Sequence, residues 1–276
     1  MNKKMMFRKA AYNRGVNKFY PSSKSELLNT LGDLTDSQTE KIKALAVVSP
    51  HAGYIYSGSV AGAVFSSVEV PETVIILGAP HNDFRPRFSI MADGLWGSPL
   101  GDVPINAGLA ELIIKNCPLA EASDTPHEDE HSLEVQVPFL QFFQKNLSLV
   151  PVHVNSRSSF NDLQELARAI VRAEREFGQQ VLIVASTDMS HYIDQDSART
   201  FDFMAIDKIL ALDGRGLFDT VRTNRISMCG FQPTTAAVLA AKDLGARKAD
   251  LVKYQTSGDV TGDRSQVVGY AGIRIY

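Results

Sequence analysis

The residues best equipped for chemistry in this 276-residue chain are six histidines and two cysteines. The stretch TPHEDEHSLEVQVPF, residues 125–139, sets His127 and His131 in the spacing His-Glu-x-x-His. On one continuous helix, that spacing puts two imidazoles on one face with a glutamate beside them as general base, the arrangement of zinc peptidases. Such a site needs both histidines inside a formed helix, and a third ligand. His127 follows Pro126, which belongs at the start of a helix, and no downstream Glu or His offers a fitting third ligand. The acidic run around them suits a helix N-terminus on electrostatic grounds alone. The peptidase reading is the weaker one.

A stronger pattern lies elsewhere. Three apolar, strand-like runs end in the same way: ALAVVSPH reaches His51, VIILGAPH reaches His81, and VLIVASTDMSH reaches Asp188 and His191. In open α/β sheets, ligands bind outside the carboxyl ends of the strands. Each histidine alone reads as a hydrogen-bonded structural residue, but the repetition lifts the group above that. His131 falls at a predicted helix start. Cys229, in ISMCGFQPTTAAVL, precedes another predicted helix, whose N-terminal field favours the thiolate, the nucleophilic and metal-binding form. Cys117, His153 and the single Trp96 read as packing residues. Two imidazoles with one anionic ligand is the facial arrangement of non-haem Fe(II) sites. The same donors can hold zinc with a water as fourth ligand.

The elements that must position these residues are legible as hydrophobic runs. Residues 43–49, 73–79, 147–154 and 180–186 are near-continuous apolar runs, as strands buried on both faces should be. Further strands are predicted over 87–93, 250–257 and 267–276. Helices are predicted over 58–68, 106–117, 131–144, 160–178, 198–213 and 232–245. Ser159 or Asn161 can cap the fourth, and Gly178 ends it. Strand–helix alternation predicts an α/β fold: a central, mostly parallel or mixed sheet with helices on both faces. With no linker, repeat or low-complexity tract, a single domain over 1–276 is expected. No G-x-G-x-x-G or P-loop follows a strand, so the usual nucleotide folds are unsupported.

Composition narrows the function classes. The chain is 44% hydrophobic and 21% charged, with a net charge of −3, which argues against nucleic acid as the main partner. Two cysteines make no disulfide framework and point to a reducing compartment. The N-terminus has basic residues but no apolar core of a secretory signal, and no run is long enough to span a membrane. The expectation is a cytoplasmic protein with no membrane partner.

The segments KFYP (18–21), SPHAGYIYSG (49–58), LGAPH (77–81), EHSLEVQVPFL (130–140), STDMSHY (186–192) and CGFQPT (229–234) together resemble the Memo family, protein B of the AmmeMemoRadiSam system, in order and spacing over almost the whole chain. That family is similar in fold to the LigB-type class III extradiol dioxygenases, which hold Fe(II) with two His and one Glu and use a further His as acid/base. The resemblance implies that His51 and His81 match the metal histidines and that Cys229 stands where the carboxylate would be. Asp188 and His191 match an Asp-x-x-His element, and His131 and Glu134 line the same cavity. On this reading His191, oriented by Asp188, moves a proton, and Tyr54 hydrogen-bonds a substrate oxygen. The implied cofactor is Fe(II), with Cu or Zn as alternatives because a thiolate is a soft ligand. The implied activity is an oxidoreductase or dioxygenase-like step on a small organic, phenol-like substrate. A metal-free Cys229 would instead be a nucleophile with a histidine as base. The alternative class is a peptide- or protein-binding module, linked in the family to phosphotyrosine peptides and to AMMECR1-like and radical-SAM partners.

Overall fold

The computed structural model describes residues 7–11, 18–79, 81 and 86–276. Its centre is built from the four apolar runs. Ala46–Ser49, Val181–Ser186, Thr73–Gly78 and Ser148–Val154 lie side by side in that order, all parallel. Every residue of the first three is buried. Side chains alternate between faces: Val48, Ile75, Ile183 and Val152 pack on one side, Val47, Val74, Leu182 and Leu149 on the other. Both faces are covered by helices, so both must be apolar, and the sequence reads as unbroken hydrophobic runs.

Antiparallel strands extend this parallel centre into a nine-stranded mixed sheet. Val267–Ile275 pairs with Ala46–Ser49 and carries Ala249–Thr256 and the short His191–Ile193. On the opposite edge, Phe88–Ile90 runs antiparallel to Ser148–Val154 and holds Ala120–Ala122. One face is packed by Ala107–Asn116, Phe160–Phe177 and Phe231–Asp243, the other by Lys24–Leu34, Tyr54–Ser66 and Val137–Phe143. The fold is therefore the α/β class the sequence predicts. A separate three-stranded sheet joins Phe7–Arg8, Leu95–Trp96 and Val103–Pro104. Among the described residues, no helix is long and apolar enough to cross a membrane.

Ser159, rather than Asn161, caps Phe160–Phe177. It forms a reciprocal capping box with Asp162, and Gly178 closes the helix in the left-handed conformation. The helix predicted over 131–144 is instead two pieces, His131–Glu134 and Val137–Phe143. Pro138 sits in the first turn of the second; lacking an N–H and clashing with the preceding turn, it forces a restart. Two helices of ten residues or more were not anticipated. Lys24–Leu34 has Ser23 as its cap, and Gly214–Thr223 opens on glycines with Asp213 accepting from the Gly216 amide. The other predicted elements are present, with shifts at their ends.

Candidate metal centre

Three adjacent parallel strands deliver three histidines to one edge of the sheet. His51 follows Ala46–Ser49, His81 follows Thr73–Gly78, and His191 follows Val181–Ser186 by way of Asp188. Pro80, in the second Pro-His pair, lies outside the described residues. Cys229 arrives from the turn before Phe231–Asp243. That turn fits only because its next residue is Gly230, where an added Cβ would lie 2.4 Å from the Ser186 carbonyl oxygen. One ligand atom from each of His51, His81 and Cys229 falls within 4.8 Å of the others. His131 completes the wall, its ring centroid 4.0 Å from that of His81 and 5.3 Å from that of His51. His51, His81, His131, Asp188 and His191 line a cavity of about 670 Å³, with Phe19, Tyr56, Tyr192 and Tyr270 among its aromatic walls. A second cavity, of about 500 Å³, lies between Lys24, Leu100 and Gln141 and is lined by neither histidine nor cysteine.

The hydrogen bonds fix which ring nitrogen of each histidine faces this cavity. His51 Nδ1 is 2.9 Å from Ser186 Oγ. The Ser186 hydroxyl donates its one proton to the Ser132 carbonyl at 2.6 Å and accepts from Gln136 Nε2 at 2.8 Å. It therefore has only acceptor capacity left, so His51 carries its proton on Nδ1 and keeps a lone pair on Nε2. That lone pair lies 3.2 Å from Cys229 Sγ. His81 Nδ1 donates to Glu130 Oε1 at 2.7 Å, and its backbone amide donates to Glu130 Oε2 at 2.9 Å. His191 Nδ1 donates to the Ser227 carbonyl at 2.8 Å. In all three, an oxygen acceptor on Nδ1 leaves Nε2 as the free donor atom, the arrangement that orients metal-binding histidines.

Burial sets the charges. It holds the His51 imidazole well below its ordinary value, helped by the neighbouring His81. Burial, with the charges of His51 and His81, brings His131 down to about 3. Both rings are neutral at pH 7. Glu130 goes the other way: burial pushes its carboxyl up, but hydrogen bonds from His81 and the Ser132 amide prevail and hold it at about 2. Burial raises Asp188. It also pushes the Cys229 thiol up, with the Asp188 carboxylate adding to the effect. The expectation that the helix N-terminus would favour the thiolate is therefore corrected. In the metal-free protein, burial outweighs the helix field, and the thiol donates to His51 Nε2.

The comparisons with known proteins can now be set beside this geometry. The family model for Memo-like protein matches residues 14–274. The chain belongs to the Memo family. It is 39% identical over 272 residues to a MEMO1 family protein of Methanopyrus kandleri, covering 92% of this chain and 95% of that one. A MEMO1 family protein of Methanothermobacter thermautotrophicus is 40% identical over 228 residues, covering 82% of each chain. One from Archaeoglobus fulgidus is 39% identical over 260 residues, covering 94% and 97%.

Three expectations that came with the Memo resemblance are corrected by the structure. Tyr54 does not face the cavity: its hydroxyl donates to the Val135 carbonyl at 2.7 Å and its side chain is buried. Glu134 also turns inward. It forms a buried ion pair with Arg8 and accepts from Tyr20 Oη at 2.5 Å and the Ala11 amide at 3.0 Å. Its buried partners explain this: the Arg8 guanidinium and the Tyr20 hydroxyl hold the carboxylate away from the cleft that His131 lines. Asp188 lines the cavity, but its carboxylate accepts from the backbone amides of His51, at 2.8 Å, and Ala52. The Ser227 carbonyl, not Asp188, orients His191.

The His-Glu-x-x-His spacing comes apart in the same way. His127 sits in Thr125–Glu128 and is fully buried against Trp96, whereas His131 opens a new helix capped by Glu130. Cys117, His153 and Trp96 are buried in the packing, as expected. Sequence reasoning missed the orienting residues Glu130, Ser186 and Ser227. Only Glu130 had a local signal, as a capping acid directly before His131. Tyr192, beside His191, is exposed at the mouth and has φ of 58°, a backbone conformation uncommon for a bulky residue and concentrated at functional sites.

Proposed function

We propose that this Memo-family chain is a metal-dependent redox enzyme, with His51, His81 and Cys229 holding a single non-haem metal ion and Fe(II) the best match. The observation that carries this reading is the matched set of donors. Two imidazoles each have an oxygen on Nδ1 and turn Nε2 towards the site, and both converge with one thiol. A set of two histidines and one anionic ligand suits Fe(II), while the soft sulfur also suits Cu and Zn. When bound, such an ion supplies Lewis acidity, stabilises the Cys229 thiolate and gives access to oxygen and redox chemistry.

The chain's own residues supply the rest. The aromatic walls Phe19, Tyr56 and Tyr270 suit a small phenol-like substrate. His191, with its proton fixed on Nδ1 by Ser227, offers Nε2 as acceptor for a hydroxyl proton. Such a transfer requires hydrogen-bond reach, about 3 Å. Asp188 holds the His51 backbone rather than joining the proton path.

The test is the metal content of anaerobically purified protein, wild type against Cys229→Ser and His51→Ala. Stoichiometric iron or copper, lost in both variants, supports the site. An O₂-consumption screen with catechols then follows, in which His191→Ala should keep metal and lose turnover. Zinc in place of iron points to hydrolysis. Absence of metal after Fe(II) and Zn(II) reconstitution overturns the reading.

One observation favours a second reading, a peptide- or protein-binding module. The cavity mouth exposes Tyr192 at 72% and Tyr56 at 39%, with Ile55 at 74% next to it, an apolar rim of the kind that marks interaction sites. Binding of an AMMECR1-like or radical-SAM protein that persists in Cys229→Ser and fails in Tyr192→Ala would support it.

A further inference from the structure

We propose that Arg8, from the N-terminal strand, is a positioning residue for His81, acting through Glu130 across more than a hundred residues of sequence. Arg8 is 1% exposed. Its guanidinium lies 4.2 Å from the centre of the Trp96 ring and pairs with the buried Glu134. Nε donates to the His127 carbonyl at 2.9 Å and Nη2 to the Glu130 carbonyl at 3.3 Å.

The need for such a residue follows from the local chain. Between Ala120–Ala122 and Val137–Phe143 the backbone forms two four-residue helices, Thr125–Glu128 and His131–Glu134. Helices this short leave most of their carbonyls without intrahelical donors, and buried carbonyls need partners. One planar guanidinium fork supplies donors to the His127 carbonyl of the first helix and the Glu130 carbonyl at the cap of the second, with a counter-charge to Glu134, a combination only arginine provides.

Glu130 links Arg8 to His81. Its backbone carbonyl is held by Arg8, while its carboxylate holds both the ring and the amide of His81. His51 is held instead by Ser186, which ends the central strand Val181–Ser186 and bonds to the 130–136 segment only through Ser132 and Gln136, not through Glu130. Loss of Arg8 should therefore release His81, which Glu130 holds directly, far more than His51, which a central strand holds. A residue that merely packed would not discriminate between the two.

The experiment uses ¹⁵N-labelled, metal-free protein and reads the imidazole Nδ1–H signals of His51 and His81. The main variant is Arg8→Met with Glu134→Gln, which removes both charges together and so leaves no unpaired buried carboxylate. Arg8→Lys is the second: it keeps the charge against Glu134 and loses the fork to the two carbonyls. Selective loss or exchange broadening of the His81 signal is expected in both, larger in the double variant, with the His51 signal retained. Co(II) affinity should fall about tenfold or more in the double variant, the usual cost of losing an orienting partner. Only this second readout rests on the metal reading; the N–H signals decide the positioning role even if the wild type binds no Co(II). An unchanged His81 signal in the folded variants, or equal loss of both signals, would overturn the proposal.

Discussion

Two groups of histidines in this molecule differ in one respect that decides their use. At the sheet edge, His51, His81 and His191 each have Nδ1 against an oxygen and Nε2 facing a cavity. A short distance along the chain, His127 and His153 are wholly buried, His127 against Trp96 and both within the influence of one another. Residue type and burial do not separate the groups, because His51 is as buried as they are. Open space before Nε2 does. An imidazole becomes a ligand when something else holds its far nitrogen and open space lies before the near one.

Four measurements can break or sharpen this contrast. The largest effect is expected from His51→Ala, which should take metal content from stoichiometric to undetectable, while His127→Ala leaves it unchanged; elemental analysis of the two purified variants separates them. Metal retained in His51→Ala would erase the distinction.

Next, Glu130→Gln keeps the shape of the acceptor but removes its charge. Metal affinity should fall about 10- to 100-fold, measured by competition with a chromophoric chelator. A change below twofold would mean that His81 does not depend on its acceptor.

Third, His127→Ala should lower folding stability by about 2–4 kcal/mol, as truncation of a fully buried side chain does. Urea denaturation measures it, and an effect near zero would show that the interior pair is not a packing element.

The fourth measurement is a pH dependence. Burial and the neighbouring His153 bring His127 down to about 3 from an ordinary 6.5. Between those values the unfolded chain binds the extra proton, so stability rises with pH there. The contribution is complete above 6.5 and is lost as pH falls towards 3. Denaturation at a series of pH values should show this slope flattened in His127→Gln; an unaltered slope would assign it to other groups.

The strands and their terminal histidines were legible because both signals are local. A parallel strand covered on both faces has to be an apolar run, and the residue after the run has to sit at the edge. The histidine spacing at 127 and 131 carries no site, as the sequence predicts: it presumes one helix, and the break at Asp129 and the Glu130 cap put the two histidines in separate helices. Tyr54 and Glu134 could not be placed from sequence. Their partners are Val135 and Arg8, 81 and 126 positions away, and no local pattern tells a side chain which way to turn. The same holds for Ser186, whose role follows from the single proton it has already given to Ser132.

The centre draws its donors from opposite ends of the chain: His51 and Cys229 are 178 residues apart. A ribosome-bound chain has both histidine-bearing strands long before Gly230 and the helix behind it have emerged, and closing such distant contacts is the slow part of folding. On the proposed metal reading, the three donors meet only once the fold is complete, so expression in metal-depleted medium should yield a folded protein ready to be loaded afterwards.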